Sequence, residues 1–140
     1  MQPVHITLTL VGLLGASSAW AADCTNASDQ ASLNQCTSGD YASQDKRLNQ
    51  VYGDYRARLA PQQKQQLKAA QLAWIKFRDL SCAFESSGVQ GGSAYSMVLS
   101  GCLAAKTTTR IDELQRLADC PEGDLSCPAL APLSRAGSGR

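Results

Sequence analysis

Cys24, Cys36, Cys82, Cys102, Cys120 and Cys127 leave a chain of 140 residues few ways to fold. An even number of cysteines with no C-x-x-C pair reads as a disulfide framework laid down in an oxidising compartment. A chain this short buries only a modest core, so covalent staples add stability it would otherwise lack. The single histidine, His5, lies in an N-terminal stretch that reads as an export signal. Without it the chain lacks the usual side chain for acid–base chemistry near neutral pH and for nitrogen ligation of metals. The expectation is a disulfide-stapled binding module with no catalytic residues, no metal and no cofactor.

Residues 1–22 carry that signal. An apolar run from Ile6 to Ala16 leads to Ser17, Ser18 and the small-x-small sequence Ala19-Trp20-Ala21, which predicts cleavage after Ala21 or Ala22. The run is too short to span a bilayer, and no Lys or Arg precedes Lys46. Asp23, just before Cys24, is not what a lipoprotein signal offers. The mature chain is expected to be soluble, periplasmic or secreted, with no membrane span.

Thirteen basic and twelve acidic side chains are interspersed along the rest of the chain, for a formal net charge of +1. No basic stripe with interleaved aromatics is present, which argues against nucleic acid as a partner. After a short polar segment at 23–36, three amphipathic stretches follow. The first, from about Tyr41 to Leu59, spaces Leu48, Val51, Tyr52, Tyr55 and Leu59 along one helical face. Pro61 suits the first turn of a second helix, expected to reach about Ser86 and to bury Leu67, Ala70, Trp74, Phe77 and Cys82. The glycine-rich run from Ser86 to Ser93 interrupts it, and Ser93 is placed to cap a third helix ending near Ala118. Val98, Cys102, Leu103, Ile111, Leu114 and Leu117 are its apolar positions. The predicted fold is a small all-α, disulfide-stapled bundle of three main helices. It spans 23–118, with a short N-terminal segment and a flexible Pro/Gly/Ser-rich tail at 119–140.

The cysteines admit more than one pairing. If the first two helices turn back near Leu59 and Ala60, Cys36 faces Cys82, which leaves Cys24 for Cys102. The rival scheme joins Cys82 to Cys102 across the second hairpin and Cys24 to Cys36 locally. Cys120 and Cys127 are expected to close a small loop of their own. The same hairpin register sets Asp45 opposite Trp74 and Asn49 opposite Ala70 and Gln71, with Arg78 in reach of Asp45. Asp45, Arg78, Asp79 and Glu85 then read as a network that satisfies buried polar atoms rather than as catalytic acids.

These residues carry a resemblance. Asp45 to Tyr52, Gln71 to Cys82, Gly91-Gly92-Ser93, and Cys102-Leu103 with Thr107, Arg110 and Leu114 resemble the family named for the LprI lysozyme inhibitor N-terminal domain, long catalogued as a domain of unknown function. The resemblance covers roughly Cys24 to Leu117. It implies a secreted, disulfide-bonded helical domain with lysozyme inhibition as its activity. It also marks Asp45, Leu48, Asn49, Tyr52, Gln71, Trp74, Arg78, Asp79, Thr107, Arg110 and Leu114 as the family's structural positions. The chain departs from the namesake in lacking a lipoprotein signal and in its tail with Cys120 and Cys127.

A lysozyme cleft holds two carboxylates, so an inhibitor must present hydrogen-bond donors or a cation on a protruding, preorganised element. The loop Ser86, Ser87, Gly88, Val89, Gln90, Gly91, Gly92 and Ser93 is the candidate, with glycines that let backbone N–H groups turn outward. The expected partner is lysozyme or another cell-wall hydrolase. The alternative is a non-inhibitory envelope interaction module, or an immunity protein against a secreted toxin.

Overall fold

The computed structural model describes residues 24–121, 123–128 and 130. Three helices form the body: α1 (Gln30–Arg58), α2 (Pro61–Glu85) and α3 (Tyr95–Ala118), with short 3-10 turns at Cys24–Asn26 and Ser87–Val89. The all-α expectation holds. The export signal expected at 1–22 lies outside the described residues, and no described helix is long and apolar enough to cross a membrane.

α1 starts eleven residues before the expected Tyr41, inside the segment read as a short polar opening. Asp29 starts it: its backbone is extended, Oδ1 accepts from the Ser32 N–H at 2.9 Å, and Oδ2 accepts from the Ser32 hydroxyl at 2.7 Å. Those bonds favour the ionised form and hold the Asp29 carboxyl below its usual range. The sign follows from the depressed folded-state pKa. The cap contributes fully above about pH 4, the unfolded value, and fades as pH falls through the lower folded one. Acidification should therefore speed hydrogen exchange at Ser32, and Asp29→Asn should remove that dependence. Exchange at Ser32 that stays flat from neutral pH to about pH 2, after correction for intrinsic chemistry, would rule the cap out.

The helices do not pack as successive hairpins of equal weight. Most of the packing joins α1 to α3, while α2 meets α3 less and α1 hardly at all. Asn34 lies by Ser93, Ser38 by Ser100 and Arg58 by Ala118, so α1 and α3 run parallel. On α3 the buried positions Ser100, Ala104, Thr107, Ile111 and Leu114 step by four and three, the spacing of a coiled-coil seam. Leu48, Tyr55 and Leu59 of α1 join Ile111 and Leu114 in the core, with Val51, Tyr52, Leu67, Trp74 and Leu117 packed around it. Arg58 donates from Nη2 to the Ala118 carbonyl at 2.9 Å, satisfying an orphan acceptor at the α3 C-terminus. Ser93 does not cap α3. Ala94 occupies that position with no side-chain bond, and the Ser93 carbonyl instead accepts from Asn34.

α2 is turned the other way from the sequence expectation. Its buried positions are Gln71, Arg78 and Cys82, while Phe77, Leu80, Phe84 and Leu72 are exposed. Ala70 is exposed as well, and Leu67 and Trp74 are half-buried. Of the predicted buried set only Cys82 is fully enclosed. The bundle takes the polar face of α2 because Arg78 and Gln71 find partners on α1 and α3 that no apolar side chain could supply.

The disulfides join Cys24 to Cys36, Cys82 to Cys102 and Cys120 to Cys127, which corrects the favoured Cys36–Cys82 and Cys24–Cys102 scheme. The Asp45–Arg78 contact sets a register between α1 and α2 in which Cys36 falls past the end of α2 at Glu85. Cys82 faces Cys102 across the α2–α3 hairpin instead, and Cys24 reaches Cys36 by the turn preceding α1. The last loop closes as expected and contains a turn in which the Asp124 carboxylate accepts from the Ser126 N–H and hydroxyl. Leu130 pairs with Leu59 in an isolated antiparallel bridge, which brings the chain back to the α1–α2 junction.

Candidate protein-binding site

Arg78 organises the polar interior. Only 5% exposed, it donates from Nη1 to Asp45 Oδ1 at 3.2 Å and to Thr107 Oγ1 at 3.3 Å, and from Nε to Asp79 Oδ1 at 2.9 Å. One side chain of α2 thereby ties α1 to α3. Its guanidinium carbon also lies 5.2 Å from the Trp74 ring centroid and 5.4 Å from that of Tyr41, while Arg110 lies 5.7 Å from Trp74. Tyr41, Arg78, Trp74 and Arg110 thus alternate aromatic ring and cation, each within cation–π range. Arg110 is fixed in turn by Gln71 Oε1 at 3.1 Å and Glu113 at 3.0 Å. Burial alone would lower the Arg78 pKa, but bonding to Asp79 and Asp45 outweighs it and leaves the pKa above its ordinary value. The cation is permanent.

The structure brings Asp45, Gln71, Trp74, Arg78, Asp79, Thr107 and Arg110 into one cluster and sends the other marked residues elsewhere. Leu48 and Leu114 are core, Tyr52 packs at its margin, and exposed Asn49 donates to Asp45 at 3.2 Å. Gln71 bonds Arg110, not Asn49 as the expected register implied. Tyr41 was missed, although its place one turn before Asp45 on the same face was a usable signal. Asp45 and Asp79 both spend an oxygen on Arg78, so the cluster is built as an interhelical tie. Arg78→Ala should destabilise the domain by about 2 kcal/mol, a value held down by the partial exposure of both carboxylates. Arg78→Lys should recover less than half of that, because an ammonium cannot span three acceptors in one plane. Denaturant titration of the three proteins checks it, and equal stabilities would remove the tie from the account.

The loop from Ser86 to Ser93 projects from the end where α2 meets α3. Its base is rigid. Ser86 is fully buried and its hydroxyl donates to the Cys82 carbonyl at 2.7 Å, one residue type that both ends α2 and locks the turn. Cys82–Cys102 ties the same turn to α3, and Lys106 pairs with Glu85 at 3.0 Å. Asn34, which no sequence signal singled out, donates from Nδ2 to the Ser93 carbonyl at 3.0 Å and holds the far limb to α1. Gly91 sits at φ +81°, a conformation that glycine adopts without strain. A Cβ at Gly92 would approach the Val89 carbonyl oxygen to 3.2 Å.

Ser87 to Ser93 are all exposed. The N–H groups of Val89, Gln90 and Gly92 turn inward to the carbonyls of Ser86, Ser87 and Val89, so these three are not available as outward backbone donors. Exposed side chains add further donors: the Ser87 and Ser93 hydroxyls and the Gln90 amide. At the opposite end of the molecule an apolar groove of about 210 Å³ lies between Tyr55, Leu59, Leu67, Leu117 and Pro128. Cys120, Asp124 and Cys127 cluster within metal-ligand range, but the two sulfurs are bonded to each other and offer no thiolate.

The family model described as "Lysozyme inhibitor LprI" matches residues 21–114. An uncharacterized protein of Rhizobium meliloti (strain 1021) is 37% identical over 114 residues, covering 71% of this chain and 81% of that protein. No solved structure matches. The matched span takes in α1, α2, the loop and most of α3, and with them the polar cluster and the disulfides Cys24–Cys36 and Cys82–Cys102. On these grounds the chain belongs to the LprI lysozyme inhibitor family.

Proposed function

We propose that the protein is exported to the periplasm or beyond and blocks lysozyme or a related cell-wall hydrolase, using the loop Ser86 to Ser93 as the inserting element. The observation that carries this reading is the way the loop is held. Bonds from Asn34 and within Ser86, together with the Cys82–Cys102 link, fix its base on all three helices while its tip stays open. A preorganised tip loses little freedom on binding. Neutral donors at Ser87, Gln90 and Ser93 suit a cleft that pairs a protonated with an ionised carboxylate. Family membership supports the class of target.

The test is inhibition of lysozyme in a cell-wall turbidity assay by the oxidised protein, with a reduced and alkylated sample beside it. Inhibition should be dose-dependent, vanish on reduction, and weaken at least about tenfold in Gln90→Asp, which sets a carboxylate against carboxylates. The thermal midpoint of that variant should not move, because Gln90 is exposed. Absence of inhibition toward c-type, g-type and i-type lysozymes at micromolar concentration would defeat the proposal.

A further inference from the structure

α2 carries its apolar residues on the outside. Ala70, Ala73, Phe77, Leu80 and Phe84 are all exposed and step along the helix by three, four, three and four. Phe77, Leu80 and Phe84 expose 61%, 62% and 79% of their surface. With full aromatic side-chain areas of about 150–250 Å², these three residues alone leave roughly 400 Å² of apolar surface open. Single exposed apolar residues need no explanation, whereas a contiguous patch of this size marks an interaction site. Among the described residues α3 reaches its edge, where the Lys106 ammonium lies 5.8 Å from the Phe77 ring centroid, and Leu80 and Phe84 stay open to solvent.

The spacing identifies the shape of the occupant. A three–four alternation on one helix is the seam that receives a second helix. We infer that the occupant is α2 of a second copy of this chain, laid antiparallel across a two-fold axis between Phe77 and Leu80. In that register Phe77 of one copy lies over the partner's Leu80, and Phe84 lies over the partner's Ala73. Each large side chain meets a small one or a space-matched one, and the relation is reciprocal, as an isologous interface requires. The charges agree. Lys76 borders one edge of the seam and falls beside the partner's Ala83, while Glu85 on the other edge is already paired with Lys106 of its own chain. No like charges are opposed. The three large residues of both copies remove roughly 800 Å² of apolar surface. With the bordering Leu72, Ala70 and Ala73, the pairing reaches about the 1,200 Å² at which specific interfaces begin.

This pairing leaves the Ser86 to Ser93 loops of the two copies free at opposite ends of the dimer, so it adds to the inhibitory reading without depending on it. The experiment is analytical ultracentrifugation of the protein expressed with its own N-terminus and purified oxidised, from about 1 to 300 μM, beside Leu80→Glu and Phe84→Glu. A dimer should form with a midpoint on the order of 10 μM, the affinity of a small interface. Both variants should stay monomeric throughout, with unchanged helical content and thermal midpoint, because the replaced side chains touch solvent in the monomer. A wild-type protein monomeric at 300 μM overturns the inference, as does a dimer that survives both substitutions. Loss of hydrolase binding in Phe84→Glu from a monomeric wild type would reassign the face to a heterologous partner.

Discussion

Ile111→Ala should lower the free energy of unfolding by about 3–4 kcal/mol. The side chain is fully buried at the point where α3 meets Leu48, Tyr55 and Leu59 of α1, and Leu114 one turn on closes the same space. Its loss removes apolar burial and opens a cavity between two helices that cannot move together, since Arg58 and Ser38 hold their ends. For a domain of this size that corresponds to a fall of roughly 15–25 °C in thermal midpoint. Leu125→Ala supplies the control, because that leucine is fully exposed in the Cys120–Cys127 loop and its removal should leave the midpoint in place. Calorimetry of the two variants decides the matter, and equal midpoints would mean that the α1–α3 seam is not the core.

Removing the Cys82–Cys102 link, as Cys82→Ala with Cys102→Ala, should cost about 3 kcal/mol, the chain-entropy value for a loop closed over a separation of 20 residues. The Cys120–Cys127 pair, separated by 7, should cost clearly less when replaced in the same way. The larger effect has a second readout. Cys82 lies directly beneath Ser86, whose hydroxyl bonds the Cys82 carbonyl, so the double substitution loosens the base of the loop. Inhibition should therefore fall further than the residual folded fraction explains, while the Cys120–Cys127 double variant should inhibit normally. Two variants with the same loss of inhibition per unit of lost stability would show that the loop gains nothing from its staple.

The sequence and the structure part company in informative places. Helix content, the limits of α2 and α3, and the Leu48-to-Leu59 stripe of α1 were legible because each rests on local periodicity or on a proline or glycine signal. The start of α1 was missed because Asp29 precedes a run with no strong apolar stripe, and the cap alone starts the helix. Phe77 was expected inside because hydrophobic periodicity marks a helix's apolar face without saying which neighbour receives it. Here the bundle accepted Gln71, Arg78 and Cys82, each satisfied by a partner distant in sequence. The Arg78–Asp45 contact was readable from register, whereas its reach to Thr107 and the place of Tyr41 required knowing that α1 and α3 are parallel neighbours. The preferred cysteine pairing failed on the same point, since it assumed that α1 and α2 lie face to face along their length.

The parallel setting of α1 and α3 also governs how the chain assembles. Residues that meet across the seam, such as Ser38 with Ser100 and Arg58 with Ala118, are about 60 positions apart. Their approach must close a long loop before burial rewards it, so refolding should be slower than in a bundle built from consecutive hairpins. Until residues as late as Leu114 are synthesised, the apolar stripe of α1 has only Leu67 and Trp74 of α2 to pack against, so the unfinished polypeptide holds little core that would resist being threaded through a narrow channel.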